Sequence, residues 1–323
     1  MLTDNPSHRN AAGPGASLAG KMMKTMRHYR KQILLGLRGR WWDVQQPRLN
    51  RPVFIIGCSR AGTTVVYKTF STHPDLGTLN RETHDFWVDL HPLRGRDYSS
   101  HALGAADATV HDQRIVSRYF YSQSGRLRVV DKNNQNGLCV PYLHALFPSA
   151  HFVYVKRNPG DNIHSLIEGW GKADEFATWS RELPAEVMVD HGRYRRWCFF
   201  LAEGWLDYVN APIEEVCAHQ YRSINSAILD ARAAIPSSQW TEIFYEDLVQ
   251  DPVVGFEKAF SSAGLVFTAQ LRDYCARVLE RPFNAFSEIR LDKWKFLHNR
   301  DRIEQILPKV EEVARRMGYE ANR

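Results

Sequence analysis

One short stretch, residues 53–67, constrains the fold more than any other part of the sequence. It reads VFIIGCSRAGTTVVY, in which an apolar run breaks at Gly57 and a second apolar pattern begins after Gly62. This order predicts a buried strand, a loop whose backbone N–H groups converge on an anion, and a helix whose positive end supports that charge. A nucleoside-triphosphate loop has a lysine after its second glycine, but Thr63 stands there in this chain.

Other side chains of the same loop supply groups for an anion. Thr63 and Thr64 place two hydroxyl donors at the predicted helix start, and we expect Arg60 to point into the loop. No lysine is available here to reach the β- and γ-phosphates of a triphosphate. The loop therefore predicts an anion-binding site for a ligand with a single phosphate at this position.

The rest of the chain alternates between short apolar runs and longer mixed segments. The apolar runs predict strands that are buried on both faces, at 53–57, 127–131, 151–155 and 240–245. The mixed segments predict helices at 63–72, 137–147, 159–169, 212–234, 252–263 and 301–317. Alternation of this kind requires crossover connections, so the fold class is α/β. We expect a three-layer sandwich with a central, mainly parallel sheet and a P-loop-like nucleotide-binding core.

The composition divides the chain into three parts. Residues 1–20 are small, polar and rich in Pro and Gly, which predicts a disordered tail. Residues 21–45 predict a basic amphipathic helix, and residues 46–323 a single domain. Two less regular segments of this domain, 80–125 and 171–210, are predicted to be insertions that bind the acceptor.

The positive charge of the protein is concentrated in one segment. Residues 21–42 hold seven Lys or Arg and no acid, and the whole chain carries +6, which leaves −1 for the rest. A basic nucleic-acid-binding body is therefore not predicted. The apolar residues of this segment follow one helical stripe. The favoured interpretation is a surface helix that lies on the domain, and the alternative is docking to an anionic membrane or an acidic partner.

The cysteines and the apolar segments bear on the compartment. The five cysteines are scattered, and no pair has the two-residue gap of a zinc or redox site, which favours free thiols. No signal peptide is visible, and no stretch approaches the ~18 apolar residues of a spanning helix. We expect a cytoplasmic protein, with the inner membrane surface as the place where the basic helix would dock.

A second informative stretch, residues 155–166, reads VKRNPGDNIHSL. A buried strand ends directly in Lys156 and Arg157, which places a guanidinium at the carboxyl edge of the sheet. Pro159 suits the first position of a helix, and Ser165 follows Arg157 by eight residues. A third stretch, IFYEDLVQDP, occupies residues 243–252, and Lys-Trp stands at residues 293–294.

Taken together, these motifs resemble those of the PAPS-dependent sulfotransferases, and most of all the bacterial and tyrosylprotein branches of that family. The resemblance covers about residues 51–317 in consistent order. It implies that the donor is 3′-phosphoadenosine-5′-phosphosulfate (PAPS), that the nucleotide product is adenosine 3′,5′-bisphosphate, and that no metal is required. This donor has one 5′-phosphate capped by sulfate, which explains the absent lysine.

The resemblance also assigns residues to the nucleotide. The 5′-phosphosulfate would be held by Arg60, Ala61, Gly62, Thr63 and Thr64. The 3′-phosphate would be held by Arg157, whose fork of donors matches phosphate oxygens, and by Ser165. Tyr245, Lys293 and Trp294 would complete the pocket.

Three residues are candidates for the catalytic groups. Glu82 stands where tyrosylprotein sulfotransferases carry a catalytic Glu-Thr, and His84 is the alternative base, as in cytosolic members of the family. Lys132 matches the family lysine at a strand end, and its ammonium would neutralise the leaving phosphate. Two departures from the family pattern are Asn133-Asn134 after this lysine and Ser59 before Arg60.

Two other function classes stay open at this stage. A P-loop-type kinase would use Asp131 as the magnesium-binding residue of its strand, and a non-catalytic nucleotide-binding protein would need neither Glu82 nor Lys132. The acceptor is expected to be a small molecule or a glycan, such as a carbohydrate, a glycolipid or a phenol. Five tryptophans within residues 83–98 and 170–205 would suit sugar or phenol rings, although core packing is the favoured interpretation: Trp87, Trp170, Trp179, Trp197 and Trp205.

Overall fold

The structure is a computed structural model that describes residues 18–178, 180, 183–280 and 289–319. Residues 1–17, which make up most of the predicted disordered tail (1–20), lie outside the described residues.

The described residues form a central sheet of four parallel strands in the order β2-β1-β3-β4. The strands are β1 (Val53–Gly57), β2 (Val130–Lys132), β3 (His151–Lys156) and β4 (Trp240–Phe244). The expected strand at 127–131 is wrong at its start, because Val129 forms an isolated parallel bridge with Gly77 before the ladder with β1 begins. The order places β1 and β3 in the middle of the sheet. These are the two strands that lead into the predicted anion-binding segments.

Helices cover both faces of this sheet, and alternate side chains of each strand enter different cores. Phe54 and Ile56 of β1 belong to one core cluster, whereas Val53 and Ile55 belong to the other. This alternation is the period of two expected for a strand with two buried faces. The predicted α/β sandwich with a parallel central sheet is confirmed.

The expectation that all four strands are buried on both faces is wrong for β4. Glu242 of this strand is exposed, and its carboxylate pairs with Lys156. The physical reason is the position of β4 at the edge of the sheet, where one side of the strand meets solvent.

Five of the six helices predicted for the domain begin and end within three residues of their expected positions. The helices of the described residues are α1 (Leu18–Gln45), α2 (Thr63–Phe70), α3 (His84–Leu90), α4 (Val110–Ser124), α5 (Val140–Leu146), α6 (Pro159–Trp170), α7 (Ala173–Phe176), α8 (Ile213–Arg232), α9 (Tyr245–Gln250), α10 (Pro252–Ser262), α11 (Ala269–Ala276), α12 (Arg300–Ile306) and α13 (Glu311–Arg316). Of these, α3, α4, α7, α9 and α11 were not predicted. The helix predicted at 301–317 is divided between α12, a 3₁₀ turn at Leu307–Val310 and α13. Pro308 lies in that turn and has no N–H to continue an α-helical ladder.

The long helix α1 contacts the domain through its C-terminal part. Asp43 pairs with Arg118 of α4 at 2.7 Å, and the rings of Trp41 and Tyr121 stack with centroids 4.9 Å apart. Helix α1 thus lies on the domain with its C-terminal part, whereas its apolar stripe is solvent-exposed. Within the described part of the chain, no helix combines the length and apolar character that crossing a membrane requires.

Candidate active site

A chamber of about 290 Å³ lies at the carboxyl edge of the sheet. Loops that follow parallel strands meet at this edge, and open α/β folds bind ligands there. Ten of the thirteen residues predicted for the site line the chamber: Arg60, Gly62, Thr63, Thr64, Glu82, Lys132, Arg157, Ser165, Tyr245 and Lys293. Segments that are far apart in the sequence are thus brought to one cavity.

The loop after β1 has a backbone that two glycines make possible. At Gly57, φ is +151° and an added Cβ would lie 2.5 Å from the carbonyl oxygen of Val155. At Gly62, φ is +98° and an added Cβ would lie 2.4 Å from Cδ2 of Tyr245. A side chain at either position would therefore meet both backbone strain and a steric clash. The loop passes close to β3 and to Tyr245, and α2 begins directly after it at Thr63.

Arg60 connects the two predicted anion-binding segments. Its Nε donates a hydrogen bond to Oγ of Ser165 on α6, at 3.3 Å, and its guanidinium lies 5.5 Å from the ring centre of Phe176. Burial, and secondly the nearby charge of Arg157, lowers the pKa of Arg60 to about 10. The loop after β1 and the start of α6 therefore form one continuous electropositive wall.

Arg157 directly follows β3 and faces the same wall. Its Nη1 donates to the carbonyl oxygen of Arg60 at 2.8 Å, and its guanidinium lies 4.6 Å from the ring centre of Tyr245. Its buried Nε has no hydrogen-bond partner among the described residues. Burial first, and then the charge of Arg157, lowers the pKa of Lys293. Like charges thus crowd the chamber, as expected of a site for a polyanion.

The two leading catalytic candidates form an ion pair. Nζ of Lys132 lies 2.6 Å from Oε1 of Glu82, and the lysine side chain is 5% exposed whereas the glutamate is 29% exposed. Lys132 is the last residue of β2, and Glu82 precedes α3. The predicted base and the predicted cation therefore lie side by side on the chamber wall.

The departure at Asn133-Asn134 has a structural role. Oδ1 of Asn133 accepts hydrogen bonds from the backbone N–H groups of Gln135 and Asn136, at 2.7 and 2.9 Å. This side-chain turn redirects the backbone directly after β2 ends at Lys132. Oδ1 of Asn134 lies 3.5 Å from the ammonium of Lys132.

Three predicted site residues are not among those that line the described chamber. His84 begins α3 and pairs with Asp85 at 2.8 Å. Ala61 is buried, and Trp294 packs so closely on Gly160 that an added Cβ there would lie 2.3 Å from the indole. Their assignment to catalysis or to the nucleotide stays a prediction.

Asp131, the magnesium ligand of the kinase alternative, binds internal donors. It is fully buried, and its carboxylate accepts from Oγ1 of Thr83 at 2.6 Å, Nε1 of Trp87 at 3.1 Å and Nδ2 of Asn136 at 3.2 Å. Burial raises the pKa of Asp131, although these hydrogen bonds oppose the rise. The side chain therefore holds β2, α3 and the following turn together.

Sequence reasoning missed several chamber residues outside the motifs. Phe176 and Phe199 come from the segment predicted as an acceptor insertion, with ring centres 5.1 Å apart. Glu168 follows Ser165 by three residues on α6 and pairs with His298 at 3.3 Å. The helical period after Ser165 could have indicated Glu168, but no local pattern indicates the others. Of the five tryptophans considered for the acceptor, four pack in the core: Trp87, Trp170, Trp197 and Trp205. Trp179 lies outside the described residues.

Comparison with known proteins identifies the core that carries this chamber. Residues 52–198 match the model of the Sulfotransferase family. This part of the chain is therefore similar to the sulfotransferases. The match begins just before β1 and includes the anion loop, Glu82, Lys132 and the Arg157–Ser165 segment. The resemblance to sulfotransferases that the sequence motifs indicated is confirmed over these residues.

One curated relative and one solved sulfotransferase extend this comparison. Nodulation protein NoeE of Sinorhizobium fredii (strain NBRC 101917 / NGR234) is 32% identical over 135 residues, which cover 36% of this chain and 31% of NoeE. The match thus spans about a third of the length of that relative. The crystal structure of sulfotransferase STF9 from Mycobacterium avium has a TM-score of 0.51 at 15% identity, over 88% of this chain and 83% of STF9. At this identity the likeness shows the fold.

Proposed function

We propose that this protein is a sulfotransferase that moves a sulfuryl group from PAPS to an acceptor hydroxyl by in-line displacement. The observation that carries the proposal is the convergence of two anion-binding segments on one chamber that also contains the Glu82–Lys132 pair. The hydrogen bond from Arg60 to Ser165 makes the two segments neighbours, so one ligand with phosphate groups at both ends of a nucleoside can contact both.

The residues present fit the nucleotide. The buried Nε of Arg157 keeps a donor without a partner among the described residues, and a buried unpaired donor is costly unless a ligand satisfies it. Thr63 and Thr64 present hydroxyl groups at the N-terminus of α2, where the helix dipole favours an anion. In this proposal Arg157 and Ser165 bind the 3′-phosphate, and the loop from Arg60 to Thr64 binds the 5′-phosphosulfate.

Glu82 and Lys132 divide the chemical work. When bound, the donor supplies an activated sulfuryl group on its 5′-phosphate. Glu82 accepts the proton of the acceptor hydroxyl as the oxygen–sulfur bond forms, and Lys132 balances the charge on the phosphate oxygen that leaves sulfur. The products are a sulfate ester and adenosine 3′,5′-bisphosphate. Phe176 and Phe199, on the same chamber, are positioned to contact an apolar or ring-shaped part of the acceptor.

Nucleotide binding tests the first half of the proposal. Adenosine 3′,5′-bisphosphate is expected to raise the melting temperature of the protein, and Mg-ATP is not, because ligand binding stabilises only the state that binds it. Arg157→Met should abolish this shift, whereas Arg114→Met, at an exposed position on α4, should leave it intact. Stabilisation by Mg-ATP alone would contradict the proposal and favour a kinase.

Turnover tests the assignment of the catalytic pair. With ³⁵S-labelled donor and an extract that contains the acceptor, Glu82→Gln and Lys132→Met should each lower sulfate transfer by about 10²- to 10⁴-fold, the usual contribution of acid–base and electrostatic groups. Both variants should still bind adenosine 3′,5′-bisphosphate. His84→Gln is the matched control and should stay within a few-fold of the parent. Loss of transfer in His84→Gln with retention in Glu82→Gln would reverse the assignment.

A further inference from the structure

An apolar stripe on α1 is exposed to solvent along its whole length. Its residues follow one another at spacings of four, three, four and four, which places them on one side of a helix. Their side chains are between 58 and 65% exposed: Met22, Met26, Tyr29, Ile33 and Leu37. Contiguous apolar surface of this kind on a soluble domain marks an interaction site.

The domain contacts a different side of the same helix. Gly39 and Trp42 are buried, Leu35 is half-buried, and the indole N–H of Trp42 donates to the carbonyl of Pro47 at 3.0 Å. These contact positions differ by four and three residues from one another and fall on another face than the stripe. The docking of α1 on α4 therefore leaves the stripe uncovered and directed away from the domain.

The charge around the stripe identifies the kind of surface that would cover it. Exposed cations stand on the same part of α1 at Lys24, Arg27, Arg30 and Lys31, and the sequence from Lys21 to Trp42 has no acid. Amphipathic helices with basic side chains and an apolar face lie in the interface of anionic membranes, where the apolar face enters the acyl boundary and the cations contact headgroups. We infer that α1 docks the protein on an anionic lipid bilayer.

The other occupants of such a face fit less well. A second copy of the chain would bring together two helix segments that each carry seven Lys or Arg and no acid, and like charges oppose that contact. A nucleic acid would use the cations but has no use for the apolar stripe.

Vesicle co-sedimentation of the full chain tests the inference. We expect the protein to pellet with vesicles of phosphatidylcholine mixed with phosphatidylglycerol and to stay in solution with phosphatidylcholine alone. Ile33→Glu/Leu37→Glu should lower binding by about tenfold or more, because it puts charges on the face that enters the bilayer. Val254→Glu/Val266→Glu is the matched control, since it adds the same charge at exposed apolar positions of the domain and should keep binding.

The contribution of charge has its own pair of variants. Arg27→Gln/Lys31→Gln should weaken binding to the mixed vesicles, whereas Arg94→Gln/Arg114→Gln, also at exposed positions, should not. Equal binding of the parent and of Ile33→Glu/Leu37→Glu would overturn the inference. So would a concentration-dependent dimer that Ile33→Glu/Leu37→Glu dissolves, or binding of RNA at the expense of the vesicles.

Discussion

Gly62 shows how one position can fix the geometry of the anion loop. Its positive φ and the ring of Tyr245, 2.4 Å from where a Cβ would lie, both exclude a side chain. Gly62→Ala should therefore destabilise the protein by roughly 1–3 kcal/mol, from backbone strain and overpacking, and should weaken nucleotide binding. Thermal unfolding with and without adenosine 3′,5′-bisphosphate measures both effects.

A matched glycine lies in α1. An added Cβ at Gly36 has no heavy atom within 4 Å. Gly36→Ala should be neutral or stabilising, because alanine favours a helix interior over glycine. Equal behaviour of the two alanine variants would show that the conformation of the loop at Gly62 is not as tight as described.

At the residue scale, the sequence was sufficient to identify site residues that lie at the end of a strand or just after it. Arg60, Lys132 and Arg157 were identifiable because the ends of parallel strands meet at one edge, whatever the rest of the chain does. The ion pair between Glu82 and Lys132 was not predictable, since it depends on how the 80–125 segment folds back over β2. Side chains such as Phe199 reach the chamber only through tertiary packing and have no local signature.

At the scale of elements, Asp131 joins β2 to α3. Its carboxylate accepts three buried hydrogen bonds, so that Asp131→Ala leaves the donors of Thr83, Trp87 and Asn136 without this acceptor. We expect the free energy of unfolding to fall by about 3–5 kcal/mol. Chemical denaturation measures it, with Asp89→Ala on the exposed side of α3 as the control. A loss of stability as small as that of the control would mean that the hydrogen bonds of Asp131 do not hold β2 and α3 together.

The elements themselves were largely predictable, with errors where tertiary contacts decide. Helix α6 begins at its predicted residue, because Pro159 and the side chain of Asn158, which accepts from the N–H of Asp161, define its start. The start of β2 was not predictable, because it depends on the bridge between Gly77 and Val129. The helix predicted at 301–317 is divided in the 3₁₀ turn that contains Pro308, because proline has no N–H to continue the helical ladder.

At the scale of the whole molecule, buried histidines make stability depend on pH. Burial lowers the pKa of His101 to about 3, and burial also lowers the pKa of His151 and His219 to about 4. The unfolded chain binds these protons near its ordinary histidine pKa of ~6.5, so it binds more protons than the folded state below that value. Folding free energy is therefore lost as the pH falls from about 6.5 toward 4, by at most ~1.4 kcal/mol per pH unit for each histidine.

Chemical denaturation across this pH range tests the dependence. His101→Asn should reduce its slope, because the residue no longer gains a proton on unfolding, while Oδ1 can take over the bond that Nδ1 accepts from the N–H of Leu201. His111→Asn, at an exposed position, should leave the slope unchanged. A slope that is the same for both variants would assign the acid sensitivity to other groups.

The layered architecture followed from the alternation of strands and helices, whereas the orientation of α1 did not. The stripe was visible in the sequence, but its outward direction depends on Trp41, Trp42 and Asp43 packing at the far end of the helix. A helical period gives the relative positions of side chains and not the side that meets the domain.

The crowding of Arg60, Arg157 and Lys293 has a consequence beyond catalysis. Each of these cations lies in a buried or half-buried setting, and their mutual repulsion opposes the folded state. An anion bound among these three cations offsets their repulsion and so stabilises the folded state. If the nucleotide binds as proposed, its binding slows proteolysis of the protein, so that the lifetime of the protein depends on the concentration of its nucleotide ligand.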